Sequence, residues 1–255
     1  MSQTAAGGPA WLVLPTYNEA GNVESVVAAS LAQLPDDARV LIVDDGSPDG
    51  TGQIADRLAA AQPDRVEVLH RPRKGGLGPA YIAGFRRALA GGAAFVLEMD
   101  ADFSHDPADL PRLLAAMDRA DLAVGSRYAA GGGVEAWSGG RRLLSRAGSA
   151  YARRTLGLGV RDLTGGFKCF RRTVLEAIDL GTVDSKGYAF QVEMTYRAAR
   201  CGFRIAEVPI IFHDRRDGVS KMTASIAAEA AWRVPWLRYH ERQRSRARAA
   251  VGRPA

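Results

Sequence analysis

Asp100-Ala101-Asp102 closes the apolar run Phe95-Val96-Leu97-Glu98-Met99. Two carboxylates one residue apart, where a buried strand opens into a loop, can hold a hard divalent cation. Magnesium or manganese bound by one or two carboxylates fills its shell with waters and phosphate oxygens, so the pair calls for a phosphorylated ligand. An EF-hand reading fails: Phe103, Ser104 and His105 stand where that loop needs a further acidic or amide residue and then a glycine. Ser104 lies on the same side of the chain at even spacing and could bring its hydroxyl near the metal. His105, just before Asp106-Pro107, reads as a local loop residue.

A second acidic motif, Asp44-Asp45-Gly46-Ser47, ends an earlier apolar run. Alone it reads as a turn, which Asp and Gly favour. With the Asp-x-Asp pair two strands later, a carboxylate accepting hydrogen bonds from a base or ribose is the better reading. Lys74-Gly75-Gly76-Leu77-Gly78 lacks the spacing and the Ser or Thr of a Walker loop, so it reads as a flexible turn with Lys74 near a nucleotide. Arg127, Arg141, Arg215 and Lys221 are scattered in sequence but could gather around a diphosphate, which the planar guanidinium fork binds bidentately.

The elements that must position these groups alternate. Trp11–Leu14, Val40–Val43, Val66–Leu69, Phe95–Met99 and Leu122–Val124 are short apolar runs. Helical spacing follows between them: Val23, Val26, Val27, Leu31 and Leu34; then 53–61; then Ile82, Phe85 and Leu89; then Leu110, Leu113, Leu114 and Met117 behind the Asp106-Pro107 start. Strand–helix units on short loops imply a mostly parallel sheet covered on both faces. Ligands then bind beyond the carboxyl ends of the strands, where 15–19, 44–47, 100–104 and Ser126-Arg127 all fall. The second half is less regular: a glycine-rich, mobile 131–140, a helix over 141–156, a strand over 167–170, a helix over 190–201, a strand over 205–212 and a helix over 226–239 interrupted by Pro235. With no internal repeat or linker, one α/β domain over 10–240 is expected, after a flexible 1–9 and before a basic, disordered 241–255.

Over the last 18 residues, six arginines against the single Glu241 give a net +5, while the whole chain carries +6. The basicity thus belongs to a tail, which suits an anionic membrane surface; no nucleic-acid module accompanies it, so a nucleic-acid-binding protein is the weaker alternative. Cys169 and Cys201 are far apart and form no metal or disulfide pattern. No signal segment or apolar run long enough to cross a bilayer is visible, so a cytoplasmic protein, peripheral on the inner membrane face, is expected.

Three stretches carry a resemblance: 14–19 (LPTYNE), 43–51 (VDDGSPDGT) and 99–105 (MDADFSH). With 124–128 (VGSRY), 162–167 (DLTGGF), 187–194 (GYAFQVEM) and Ser220-Lys221, they resemble the polyprenol- or dolichol-phosphate mannosyltransferases of the inverting family 2 glycosyltransferases. The resemblance implies a GT-A fold, Rossmann-like with a mostly parallel central sheet flanked by helices. It implies GDP-mannose as donor, a polyprenyl phosphate lipid as acceptor and Mg2+ or Mn2+ as cofactor. Pro15, Tyr17, Glu19, Val43 and Asp45 would hold the guanosine; Asp100, Ala101 and Asp102, with the Ser104 position, would hold the metal and diphosphate. Arg127, Arg141, Arg215 and Lys221 would bind the donor diphosphate and acceptor phosphate, with Asp102, Arg127, Arg215 and Lys221 carrying catalysis. Ser104 stands where some members carry Gln, and Arg216 competes with Arg215, which the spacing to Lys221 favours. Trp232, Trp236 and Tyr239 with the basic tail are expected to touch the membrane, a separate membrane-anchoring protein being the other route. The enzymatic alternative is a UDP-glucose-dependent polyprenyl-phosphate glucosyltransferase, whose usual C-terminal membrane helices are not seen here.

Overall fold

In the computed structural model, residues 8–135, 137–185, 187–213 and 232–241 are described. Nine strands and seven α-helices alternate among them, followed by a helical stretch at 232–241. β1 (Ala10–Thr16), β2 (Arg39–Asp44), β3 (Val66–His70) and β4 (Phe95–Glu98) pair in parallel as β3-β2-β1-β4. β5 (Leu122–Ser126) pairs in parallel with β8 (Ile205–Pro209). Between the two groups runs β7 (Lys168–Arg171), antiparallel to both β4 and β5. The sheet is thus mostly parallel, as expected, with one reversed strand at its middle.

Period-two alternation explains why the strand runs are apolar throughout: both faces are covered, so both sets of side chains are buried. Leu12, Leu14, Val40 and Ile42 join one core with α1 (Val23–Gln33), α2 (Thr51–Ala61) and α4 (Leu110–Ala116). Trp11, Val13, Leu41 and Val43 join the other with α3 (Leu77–Ala90), α6 (Arg172–Ala177) and α7 (Gly187–Arg200). α3 lies close to the sheet because Gly84 has no side chain; a Cβ there would stand 2.4 Å from Val13 Cγ1. A third, smaller core joins α5 (Gly139–Leu156) to α7 and the 232–241 helix through Ala152, Leu156, Val192, Tyr196, Val234 and Leu237.

Several expectations are corrected. The glycine-rich segment is not a simple mobile loop: Gly133–Val134 forms β6, paired in parallel with β9 (Ile211–Phe212), its backbone held by Gly133 N–H on Ile210 O at 2.9 Å. The single strand over 205–212 is split, because Ile210 N–H turns to Ser126 O while 211–212 serve that second ribbon. The helix after Pro107 begins as a 3₁₀ turn over Pro107–Asp109, capped by the Asp106 carboxylate on Ala108 N–H at 2.9 Å. Residues 232–241 are helical with Pro235 among them. The ladder bond that Pro235 cannot donate would go to residue 231, before the described stretch. Residues 1–7, 214–231 and 242–255, with Arg215, Arg216, Lys221 and the basic tail, lie outside the described residues.

Candidate active site

The carboxyl ends of β1, β2, β4 and β5 meet, as the loop spacing predicts. Asp45 N–H bonds Thr16 O at 3.0 Å, Asn18 N–H bonds Ser47 Oγ at 3.1 Å and Glu19 N–H bonds Thr51 Oγ1 at 2.9 Å. These bonds lock the 15–19 turn, in which Asn18 adopts a φ of 59°, onto the end of β2. Pro15, Tyr17 and Glu19 are half-buried along this edge. The exposed Lys74 ammonium sits 3.8 Å from the Tyr17 ring centre, so the glycine loop folds against the 15–19 turn.

The two aspartates at the end of β2 divide their work. Asp44 organises the turn, accepting from Ser47 Oγ at 2.6 Å and from Ser47 N–H at 3.3 Å. Asp45 accepts from Gly75 N–H at 2.8 Å and Gly76 N–H at 3.0 Å, and pairs with Arg71. Its charge thus sits at the N-terminus of α3, where a helix stabilises an anion. The Val43 side chain is fully buried in the core, so it can offer a ligand only its backbone; Ala101, 3% exposed, is in the same position.

At the end of β4, Asp100 is half-buried and Asp102 is 3% exposed. Asp102 accepts from Ser104 N–H at 3.0 Å, curling the loop back on itself, and Phe103 between them is held at a φ of 58°. A non-glycine residue in that region stores strain, which clusters at ligand sites. Ser104 is buried with its hydroxyl 3.5 Å from His105 Nδ1. His105 packs between Phe167, tilted at 5.0 Å, and Phe212, edge-on at 5.2 Å, in the structural role expected of it. Among the described residues no group of three or more His, Cys, Asp or Glu could hold a metal ion. The donor set is therefore short of ligands, which fits a magnesium- or manganese-type ion that keeps waters and phosphate oxygens. Gly166 packs beside it: a Cβ there would touch both Asp100 oxygens at 3.8 Å, an ordinary contact, and crowd Gln191 Nε2 at 3.2 Å.

Arg127 is buried, and its guanidinium grips Asp162 through two bonds of 2.7 Å, with a third to Thr164 Oγ1 at 2.8 Å. Burial alone would raise the Asp162 pKa, but the charge and hydrogen bonds of Arg127 outweigh it and hold the carboxyl below its usual value. Arg127 thus anchors the 162–167 loop to the end of β5, beside the Asp100 cradle at Gly166. Arg127 and Arg141 are brought together, their guanidinium carbons lying 5.7 and 4.2 Å from the Trp137 ring centre.

Three groups escaped the sequence reading. Tyr81 of α3, fully buried and stacked on Phe190 at 5.8 Å, donates its hydroxyl to Asp100 Oδ1 at 3.0 Å. Burial, with the charges of Asp100 and Glu98, pushes its pKa well above the phenol range, so it stays a donor. Beneath the aspartates lies a fully buried ion pair, Glu98 Oε1 to Lys168 Nζ at 3.1 Å, joining residues opposed across β4 and β7. Burial raises the Glu98 pKa and lowers that of Lys168, each opposed by the other's charge. Asp162 is the third. The signal for the pair was a charged residue inside each of two apolar runs, 95–99 and 167–170; nothing in sequence marks Tyr81.

The sequence pattern of Glycosyl transferase family 2 matches residues 11–179. The polyprenol monophosphomannose synthase of Mycolicibacterium smegmatis is 51% identical over 224 residues, covering 88% of this chain and 84% of that protein. The undecaprenyl-phosphate mannosyltransferase of Micrococcus luteus is 50% identical over 222 residues, covering 87% of this chain and 90% of that protein. A crystal structure of glucosyl-3-phosphoglycerate synthase from Mycobacterium tuberculosis, in complex with Mn2+, UDP and glucosyl-3-phosphoglycerate, superposes with a TM-score of 0.66. It shares 22% identity and covers 91% of this chain and 80% of that one, a likeness of fold. A mostly parallel GT-A sheet, a carboxylate pair at the end of β4 and this similarity along most of its length establish that the chain belongs to glycosyltransferase family 2.

Proposed function

We propose that this glycosyltransferase moves mannose from GDP-mannose to a polyprenyl phosphate with inversion, giving a β-mannosyl phosphate lipid. The observation that carries the reading is the half-identity to two named lipid-phosphate mannosyltransferases over nearly nine-tenths of the chain. The site chemistry agrees with it. An acceptor phosphate monoester, with a second pKa near ~6, is largely anionic at neutral pH and needs no dedicated base. The task left to the protein is to bring an anionic nucleophile to an anionic donor and to hold the leaving nucleotide.

In this reading Tyr17, Pro15 and Glu19 line the guanosine, and Asp45 serves it by fixing the 71–76 loop so that Lys74 stands at its edge. Asp100 and Asp102, with Ser104 beside them, would hold Mg2+ or Mn2+. When bound, that ion would neutralise the diphosphate and stabilise the departing GDP. Arg141, with Arg215 and Lys221 from the segment outside the described residues, would receive the phosphates, and Arg127 would hold the 162–167 wall in place. Attack by a phosphate oxygen on C1, opposite the departing GDP, inverts the anomeric centre. Among the described residues no helix is long and apolar enough to cross a membrane. The enzyme would therefore meet its lipid as a peripheral protein on the cytoplasmic face, through Trp232, Trp236, Tyr239 and the basic tail or through an anchoring partner.

The test is transfer of label into the organic phase from radiolabelled GDP-mannose or UDP-glucose, with polyprenyl phosphate and magnesium or manganese. Label from GDP-mannose that vanishes with EDTA is expected. Label from UDP-glucose alone would overturn the donor while keeping the reaction class.

A further inference from the structure

Of the six large apolar side chains exposed among the described residues, five lie on two neighbouring helices. They are Leu143, Leu144 and Tyr151 of α5 and Trp232 and Tyr239 of the 232–241 helix, with Leu143 70% and Leu144 51% exposed. The helices are packed together: Val234 and Leu237 meet Ala152 and Leu156, and Arg238 donates to Thr155 O at 2.5 Å.

α5 has two faces of different use. Ser145, Ser149, Ala152 and Leu156 are buried, recurring at helical spacing along one side. On that side Tyr128, next to Arg127, donates its hydroxyl to Ser145 Oγ at 2.6 Å, which ties α5 to the cleft. Leu143, Leu144, Ala147 and Tyr151 recur at i, i+1, i+4 and i+8 on the other side, and all four are exposed. This second stripe needs a cover, since contiguous apolar surface of this kind marks an interaction site.

The charge identifies the cover. α5 carries five arginines (Arg141, Arg142, Arg146, Arg153 and Arg154) and no acidic residue. Arg141 turns to Trp137 in the cleft, and a second copy seated isologously on the stripe would bring the other four arginines of each helix, eight in all, together. An anionic lipid surface instead accepts both features, burying leucine and tyrosine at the acyl boundary while its phosphates neutralise the arginines. We propose that the outward face of α5 docks on an anionic bilayer, so that the cleft stands one helix diameter, about 10 Å, above the lipid headgroups. The use made of this docking, delivery of a lipid phosphate to the cleft, rests on the function proposed above; the docking itself does not.

Flotation of the full chain with phosphatidylcholine vesicles, with and without phosphatidylglycerol, tests it. The parent should float with the anionic vesicles, and L143Q/L144Q should lower that partition by about tenfold or more. Its melting temperature should not change, since both side chains already face solvent. Three results would overturn the proposal. The variant could partition like the parent. Lipid-free protein could self-associate in sedimentation and lose that association in L143Q/L144Q, making a second copy the cover. Or the variant could melt several degrees lower with vesicle binding unchanged, making this chain's own residues the cover. If vesicle binding falls as expected while no sugar is transferred from either donor, the docking face stands and the proposed activity falls.

Discussion

Tyr81→Phe removes one oxygen and leaves the aromatic stack intact, so it isolates the bond from Tyr81 to Asp100. The phenol is fully buried, its ring 5.8 Å from both Phe85 and Phe190, and its hydroxyl is 3.0 Å from Asp100 Oδ1. A hydrogen bond to a charged group is worth about 1.5–3 kcal/mol. Asp100 is only half-buried, so water replaces much of that, and a net stability loss of about 1 kcal/mol is expected. At this chain size the melting temperature should drop by about 2–4 °C. The effect on metal binding should be larger. Without the phenol the carboxylate can rotate, and loss of such an outer partner costs about 10–100-fold in metal affinity. Titration of Mn2+ followed by electron paramagnetic resonance, with GDP present, reads that affinity apart from turnover. Tyr81→Leu, which also loses the stack, should fall further in stability yet no further in Mn2+ affinity. An unchanged Mn2+ affinity in Tyr81→Phe would refute the positioning role and the assignment of Asp100 as a ligand held by α3.

Other substitutions follow from the same geometry. Lys168→Met strands the Glu98 carboxylate in the core, and breaking a buried pair costs about 3–5 kcal/mol; denaturant unfolding should show most of that loss restored in the Glu98→Leu/Lys168→Met double variant. Asp162, whose carboxyl is held below its unfolded value of 3.8, contributes stability that is complete above that value and lost as pH falls through the lower folded one. Asp162→Asn should therefore unfold more readily at neutral pH and show a flatter decline in stability below about pH 4, read by thermal melts across acid pH. Gly84→Ala places a methyl 2.4 Å from Val13 Cγ1, and such overpacking should destabilise by about 1–3 kcal/mol, measurable by chemical denaturation.

How much of this was legible depended on whether a feature was local. β1 to β5 and the helices between them announced themselves by period, because each element is short, buried on both faces and bounded by its own turn residues. The convergence of 15–19, 44–47 and 100–104 followed from a rule about parallel sheets rather than from any single residue. The reversed direction of β7 is not legible: Phe167, Cys169 and Phe170 mark a strand there, but both of its partners, β5 and β4, lie more than forty residues earlier in the chain. Asp45 reads in sequence as a ligand-facing carboxylate, yet the fold gives it the Arg71 side chain and the backbone N–H groups of Gly75 and Gly76, some twenty-five to thirty residues on, the last two of which carry no side-chain signature. Arg127 looked like a phosphate ligand because its type suits one; only the fold shows Asp162 already in its fork. Conversely, the bland readings of His105 and the Asp44 turn hold, since both are decided by neighbours in sequence.

The middle position of β7 also sets an order of events while the chain is being made. Glu98 and Lys168, opposed in the sheet, are 70 residues apart. At about 5–20 residues per second of synthesis, β4 waits on the order of 4–14 s for its neighbour. β5 emerges in between but cannot fill the place, because it pairs with β7 and β8 and not with β4. During that interval Phe95, Val96 and Leu97 form an unpaired apolar edge with a lone carboxylate at its end, the kind of edge that recruits strands from other chains. Slower arrival of β7 should therefore raise the aggregated fraction of newly made protein, while in the finished sheet β7 covers the β4 edge.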